Sequence, residues 1–116
     1  MRNSNGKPRT ADVTHKPGNV FAQLGRANAD DLLRRARVIN VINGVIARRR
    51  LTQESAAQIA GVDQADISRL ANGRVSRFSL DRLLAIVDRL GVAIALQQRR
   101  DAAGQLVVEV RELAQV

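Results

Sequence analysis

The chain has 116 residues, enough for one domain with a tail, and 45% of them are apolar. Any core must be aliphatic because aromatic residues make up only 2%, and the absence of cysteine excludes disulfide scaffolds, thiol catalysis and cysteine-based metal sites. The formal net charge of +8 favours a polyanionic partner: nucleic acid, an anionic membrane surface or an acidic protein patch. No apolar run is long enough to span a bilayer and the N-terminus does not resemble a signal peptide, so we expect a cytoplasmic protein.

Residues 1–27 have the composition of a flexible, disordered N-terminal tail. Polar and small residues dominate, and Pro8 and Pro17 disfavour helix, so the segment buries too little apolar surface to offset its ordering entropy. A small apolar cluster follows at Val20, Phe21 and Leu24. This cluster either packs back on the domain or docks on a partner.

A long helix is predicted to begin at Asn28. Asn28 is a typical capping residue, and Asp30 and Asp31 suit the positive end of the helix dipole. Apolar residues recur at helical spacing from Leu32 to Ile46, and the helix ends in the basic run 48–50. This basic run either forms a solvated helix end or contacts DNA phosphates. Among its three arginines, Arg48 is the best candidate for a phosphate contact. The arginines at 34, 35 and 37 are more typical of a solvated face.

Two short helices joined by a tight turn are predicted between Leu51 and Arg74. Thr52 caps the first, which runs to Ala60, and Gly61 supplies the turn. Asp63 opens the second, residues 64–71, before Asn72-Gly73 ends it. This is the helix-turn-helix arrangement.

Helical spacing divides these two helices into an inner and an outer face. The predicted inner residues are small or apolar: Ala56, Ala57, Ile59, Val62, Ile67 and Leu70. The outer face of the second helix is short, polar and cationic: Gln64, Ala65, Ser68 and Arg69. A helix with such a face can enter a major groove, where Gln contacts adenine and Arg contacts guanine. Asp66 lies beside this face; we favour a role in charging the helix N-terminus over a hydrogen bond from cytosine.

The C-terminal third predicts one more helix and then strands. Ser79 caps a helix over residues 80–90 whose inner face includes Leu84. Beyond Gly91 the apolar residues recur at every second position, which predicts strands, and residues 101–104 resemble a hairpin turn. A terminal helix over 106–116 also fits the spacing. Since a lone hairpin is marginally stable in water, a hairpin here would pair with a copy of itself and make a dimer.

The sequence from Leu51 to Arg74, with Phe78-Ser79-Leu80 and Leu90-Gly91-Val92, resembles the Xre family of phage-repressor-type DNA-binding domains. The resemblance covers about sixty residues, and its Thr-Gln, Gly, Ile, Leu and Asn-Gly positions are specific only in combination. It implies binding to double-stranded operator DNA.

A narrower resemblance lies outside this region. Gly18-Asn19-Val20-Phe21-Ala22-Gln23-Leu24-Gly25, together with residues 77–83, is similar to small Xre antitoxins of the HigA-like type. Such antitoxins bind a RelE/HigB-like ribonuclease toxin and repress their own operon. The resemblance therefore implies a second partner, a toxin protein, for which the candidate contacts are Val13, Val20, Phe21 and Leu24. The C-terminal hairpin is the rival surface.

Matched to the family position by position, nine residues are expected to contact DNA. Gln53 contacts phosphate and braces Gln64, and Gln64, Ala65, Ser68 and Arg69 face the bases, with Ala65 offering only a methyl contact. The remaining residues are expected at phosphates: Thr52, Asn72, Arg74 and Arg77.

The sequence thus predicts a mainly α protein, a phage-repressor-like helix-turn-helix helical bundle with a disordered N-terminal tail and a C-terminal β-hairpin or strand. Its domains are the tail 1–27, the DNA-binding domain 28–91 and the dimerisation element 92–116. We expect no enzyme, cofactor or metal, because no nucleophile is paired with a base and His15 is the only histidine. The alternatives are a stand-alone Xre regulator without a toxin, and an interaction module that has lost DNA binding.

Overall fold

The computed structural model describes the backbone of residues 17–113 and the side chains of residues 25–113. The chain divides into two units, Met1–Asp31 and Leu32–Val116. Helix α1 is Pro17–Arg48. It is followed by α2, Gln53–Ala60, α3, Gln64–Ala71, a 3-10 turn at Val75–Arg77, and α4, Leu80–Arg89. Strands β1, Ile94–Arg100, and β2, Leu106–Glu112, complete the second unit. No helix among the described residues has the length and apolar character to cross a membrane.

The expected start of the first helix at Asn28 is wrong, because α1 already begins at Pro17 and passes through Asn28. Proline is well tolerated in the first helical turn, and the residues that follow it include good helix formers such as Ala22, Gln23 and Leu24. The predicted tail overlaps this helix over residues 17–27, and residues 1–16 lie outside the described part of the chain.

The three shorter helices begin where their caps predict. The side-chain oxygens of Thr52, Asp63 and Ser79 each accept a hydrogen bond from a backbone N–H three residues later, which stabilises the helix start. Two residues after the end of α1, Arg50 adopts φ 56°, a left-handed conformation that is uncommon for a residue other than glycine. The cap of α1 is completed by hydrogen bonds from Arg50 N to Ala47 O, 3.1 Å, and from Leu51 N to Ile46 O, 3.0 Å.

An aliphatic core joins the second half of α1 to α2, α3 and α4. Its largest fully buried side chains are Phe78, Ile42, Leu70, Leu83, Ile86, Val38 and Val45. Helix α2 presents three alanines to this core, Ala56, Ala57 and Ala60. Small side chains allow close approach of helices, which sets α2 firmly against its neighbours.

Two predicted inner residues are exposed instead. Ile59 is 40% exposed and Leu84 is 37% exposed. In each case an adjacent position faces the core, Ala60 in α2 and Leu83 in α4. The apolar stripe of a short helix is narrow, so a residue at its margin remains in solvent.

The C-terminal segment forms an antiparallel hairpin, which confirms the strand prediction and makes the alternative terminal helix wrong. Leu96 pairs with Val110 and Gln98 with Val108. The Asp101 carboxylate accepts hydrogen bonds from the N–H groups of Ala103 and Gln105, each 2.9 Å, and so orders the turn. Leu96, Val108 and Val110 face the helices, so the hairpin adds one apolar face to the core.

Candidate nucleic-acid interface

Helices α2 and α3 are joined by a turn that requires glycine. Gly61 adopts φ 70° and its N–H donates to the Ala57 carbonyl. A Cβ at this position would lie 3.0 Å from Cζ and Nε of Arg89, a contact that the exposed arginine side chain can relieve by moving, so the positive φ is the main reason for glycine here. Asp63 then caps α3 through a 2.8 Å hydrogen bond from the Asp66 N–H. The local sequence therefore fixes both the turn and the start of α3.

Helix α3 has one face anchored in the core and one face open to solvent. Ile67 and Leu70 are 2% and 0% exposed. Gln64 and Ala65 at its N-terminal end are exposed, whereas the other two residues predicted on the outer face, Ser68 and Arg69, are half-buried. Of the four predicted base-contacting side chains, the first two along α3 are therefore exposed, and the last two are partly buried against the rest of the protein.

Asp66 explains why Arg69 is partly held. Oδ1 of Asp66 accepts a 2.7 Å hydrogen bond from Nη1 of Arg69, and Oδ2 accepts one from Nη2 of Arg82. Arg82 also lies over the ring of Phe78, with its Cζ 5.0 Å from the ring centroid. We call Asp66, Arg69, Arg82 and Phe78 the Asp66 cluster.

Asp66 is a buried residue, 8% exposed, and its carboxyl group remains ionised. Burial alone raises its pKa, but hydrogen bonds and positive charge from Arg82 and Arg69 outweigh burial and hold the pKa below the usual range. Neither interpretation from the sequence, helix-terminus charge or a cytosine contact, describes these main contacts. Both carboxylate oxygens are already engaged by arginines within the protein.

The residues predicted at phosphates are exposed and lie at the two ends of the helix-turn-helix. Thr52 Oγ1 accepts from Ser55 N at 3.0 Å, and Gln53 opens α2. Asn72 Nδ2 donates to the Ser68 carbonyl at 2.9 Å and so caps the C-terminus of α3. Arg74 precedes the 3-10 turn and Arg77 is its last residue. The implied contact between Gln53 and Gln64 stays a prediction.

The candidate toxin contacts cannot be placed in the same way. Val13 lies outside the described residues. Val20, Phe21 and Leu24 belong to α1, but their side chains are outside the described part of the chain.

Three α1 side chains that sequence reasoning did not single out for positioning hold the site in place. Asn43 Nδ2 donates to the Leu70 carbonyl at the end of α3, 2.9 Å. Arg35, which was expected on a solvated face, is instead half-buried and donates to the Phe78 carbonyl at 3.1 Å. Arg49 donates to the Leu90 carbonyl at 2.7 Å. The Leu70 carbonyl also accepts from the Gly73 N–H at 3.0 Å, so Asn43 adds a second hydrogen bond at the end of α3. Only the packing of α1 against the later helices reveals these contacts.

Arg48, the expected phosphate contact of its basic run, has a different partner. Its guanidinium donates to both carboxylate oxygens of Glu112, at 2.8 and 3.0 Å. This bidentate pair raises the pKa of Arg48, through the hydrogen bonds first and the charge of Glu112 second. It ties the end of α1 to the end of β2.

Helices α2 and α3 and the glycine turn between them form a helix-turn-helix. The inner face of α3 is anchored in the core and its outer face is polar and open, as in a DNA-binding domain of this kind. The model of a family described as a helix-turn-helix domain matches residues 20–98, more than half of the chain, and the chain belongs to this family. This membership supports the Xre-like part of the resemblance and does not extend to its antitoxin part. Comparisons with curated proteins and with solved structures found no match.

Proposed function

We propose that the protein is a homodimeric, sequence-specific operator-binding repressor. The observation that carries this proposal is the exposed N-terminal end of α3, where Gln64 and Ala65 face solvent beside a positioned Arg69. Gln64 would contact adenine and Arg69 guanine, while Ala65 would touch a thymine methyl group. The net charge of +8 supplies long-range attraction to the DNA backbone.

Phosphate contacts fix the register of such a complex. Exposed groups at the two ends of the helix-turn-helix are suited to this role: Thr52, Gln53, Asn72, Arg74 and Arg77. In a dimer, two copies of α3 would enter successive major grooves about 34 Å apart on a palindromic site. Affinity would then fall steeply with salt concentration.

Replacing Arg69 tests the base-reading role. We expect Arg69→Ala to cost about 1–3 kcal/mol at the cognate operator and to leave nonspecific binding nearly unchanged apart from one lost charge. The measurement is a titration of operator and scrambled duplexes at several salt concentrations. Arg99→Ala is the matched control, since it removes the same charge from the exposed face of β1. An equal loss on both duplexes would contradict the assignment.

We further propose that the repressor is an antitoxin that neutralises a RelE/HigB-like ribonuclease toxin and represses its own operon. The HigA-like resemblance of residues 18–25 motivates this proposal. The rival is a stand-alone regulator.

Truncation separates these two functions. We expect removal of residues 1–26 to abolish binding of the toxin encoded beside this gene, while operator affinity changes by less than about threefold because α2 and α3 are intact. Co-purification with the toxin and an operator titration measure the two effects. If the truncated chain keeps the toxin and loses the operator, the assignment of the N-terminal segment is wrong. Absence of any neighbouring toxin gene would favour the stand-alone regulator.

A further inference from the structure

An open groove runs between α1 and the free edge of the hairpin. Its volume is about 690 Å³. One wall is the outer face of α1, with Arg37, Asn40, Val41 and Gly44. The other wall is strand β2, from Val107 to Glu112. A Cβ added at Gly44 would meet nothing within 4 Å, so the helix wall leaves room for another chain segment.

The β2 wall of this groove presents unpaired backbone groups. Leu113 N donates to Ala93 O and Asp101 N to Gln105 O, so odd-numbered residues of β2 exchange hydrogen bonds with β1. Because hydrogen-bonded and non-hydrogen-bonded pairs alternate in an antiparallel ladder, Val108, Val110 and Glu112 direct their N–H and C=O groups away from β1. Among residues 25–113, no backbone hydrogen bond outside the hairpin uses these groups. Such an edge is a template for another strand.

We propose that the occupant is β2 of a second copy of this chain, paired antiparallel about a two-fold axis at Val110. The result is a four-stranded sheet in the order β1, β2, β2, β1. The inference deepens the homodimer of the proposed function by assigning its interface and register. An isolated two-strand sheet is marginal, and this pairing removes the free edge of both copies.

Charge along β2 selects this register. Since outward-facing residues must pair with outward-facing residues, the two-fold axis falls on one residue of the strand. An axis at Glu109 would oppose two glutamates, and an axis at Arg111 would oppose two arginines. An axis at Val110 instead opposes Glu109 with Arg111 of the second copy, twice, at non-hydrogen-bonded positions where side chains lie closest.

The same register also covers an exposed apolar residue just beyond the end of β2. It places Leu113, which is 46% exposed, opposite Val107 of the second copy. It also places Glu112 of the second copy opposite Val108. Both oxygens of that carboxylate are already engaged by Arg48 of its own copy, so this end of the register adds no new ion pair. An axis at Val108 would overlap equally many residues of β2, but it opposes Glu109 with Val107 and so lacks the pairs between Glu109 and Arg111.

Charge reversal in the full-length chain tests the interface. We expect Glu109→Arg and Arg111→Glu each to raise the dimer dissociation constant about tenfold or more, since each turns two attractive cross-strand pairs into repulsive ones. The double variant Glu109→Arg/Arg111→Glu should return to within about threefold of the wild type. Sedimentation without DNA measures all four proteins. Circular dichroism confirms that each variant is folded.

Cross-linking supplies an independent measurement. The chain has no cysteine, so Val110→Cys introduces a single thiol. On the axis, the two Cα atoms would be about 5.5 Å apart, within disulfide range, and oxidation should give a covalent dimer. Gln97→Cys on β1 is the control and should not form a covalent dimer under the same oxidation.

Three results would overturn the proposal: a wild-type monomer, a double reversal no more dimeric than the single variants, or equal cross-linking at residues 97 and 110. A wild-type monomer whose Val108 and Val110 amides resist hydrogen exchange would place a segment of its own chain in the groove, which also overturns it. Failure of the β2 pairing would not contradict the proposed DNA interface, because the Arg69→Ala titration tests α3 and does not alter β2. A chain that dimerises as proposed but ignores operator sequence would instead contradict the proposed function.

Discussion

Phe78→Ala should lower the free energy of unfolding by about 3–5 kcal/mol, the largest effect of any single substitution considered for this chain. Phe78 is 1% exposed and is the largest fully buried side chain. Its truncation leaves a cavity among aliphatic neighbours and removes the surface on which the Arg82 guanidinium rests. The 3-10 turn before it and the Asp66 cluster should loosen together.

Chemical denaturation followed by far-ultraviolet circular dichroism measures this loss. Leu84→Ala is the matched control, because Leu84 is 37% exposed and its truncation should cost less than about 1 kcal/mol. Phe78→Leu should lie between the two, since it keeps most of the buried volume. Equal effects of Phe78→Ala and Leu84→Ala would show that the core does not depend on residue 78 in the way its burial indicates.

Asp66→Asn should cost about 2–3 kcal/mol at neutral pH. The carboxylate accepts charge-assisted hydrogen bonds from Arg69 and Arg82, each worth about 1.5–3 kcal/mol, and this sum is discounted because both guanidiniums are more than one-third exposed. The variant leaves two arginines side by side without their shared counter-charge. Asp63→Asn is the control of equal charge change, and it should be nearly neutral because Asn is as good an N-cap as Asp.

The pH dependence of the Asp66→Asn effect has a defined sign. The folded-state pKa of Asp66 is lowered, so its stabilising contribution is fully present above the unfolded pKa of about 3.9. That contribution is lost as pH falls through the folded pKa. The stability difference between wild type and Asp66→Asn should therefore be constant from about pH 7 to 5 and shrink below about pH 4. A difference that grows on acidification would contradict an ionised, paired Asp66.

Features set by neighbouring residues were predictable from the sequence. Thr52, Asp63 and Ser79 each satisfy a backbone N–H three residues away, so capping depends on a few consecutive residues. Gly61 takes a backbone conformation that other residues rarely adopt. The two-residue apolar period after Gly91 correctly favoured a hairpin, because alternation and a turn-forming Asp101 act together.

Two kinds of feature could not be predicted from the sequence: those decided by competing local preferences and those that depend on distant residues. Asn28 has the chemistry of a cap, but the preceding residues extend the helix, and tertiary context decides which preference prevails. Arg82 lies 16 residues from Asp66, and Glu112 lies 64 residues from Arg48. Sequence periodicity identifies the face of a helix, but it does not say which arginine will reach a carboxylate on another element. By contrast, Asp66 and Arg69 are three residues apart in α3, so helical spacing could have indicated their ion pair, and only the contact with Arg82 depends on the tertiary fold.

Helix α3 is fastened near both ends, by Arg82 on Asp66 and by Asn43 on the Leu70 carbonyl. A helix held in this way has little freedom to tilt or slide in a groove. Adjustment between the two surfaces must then come from the nucleic acid, whose stiffness varies with its base steps. Operator preference would accordingly extend to base pairs that no side chain touches, through the ease with which they bend or narrow the groove.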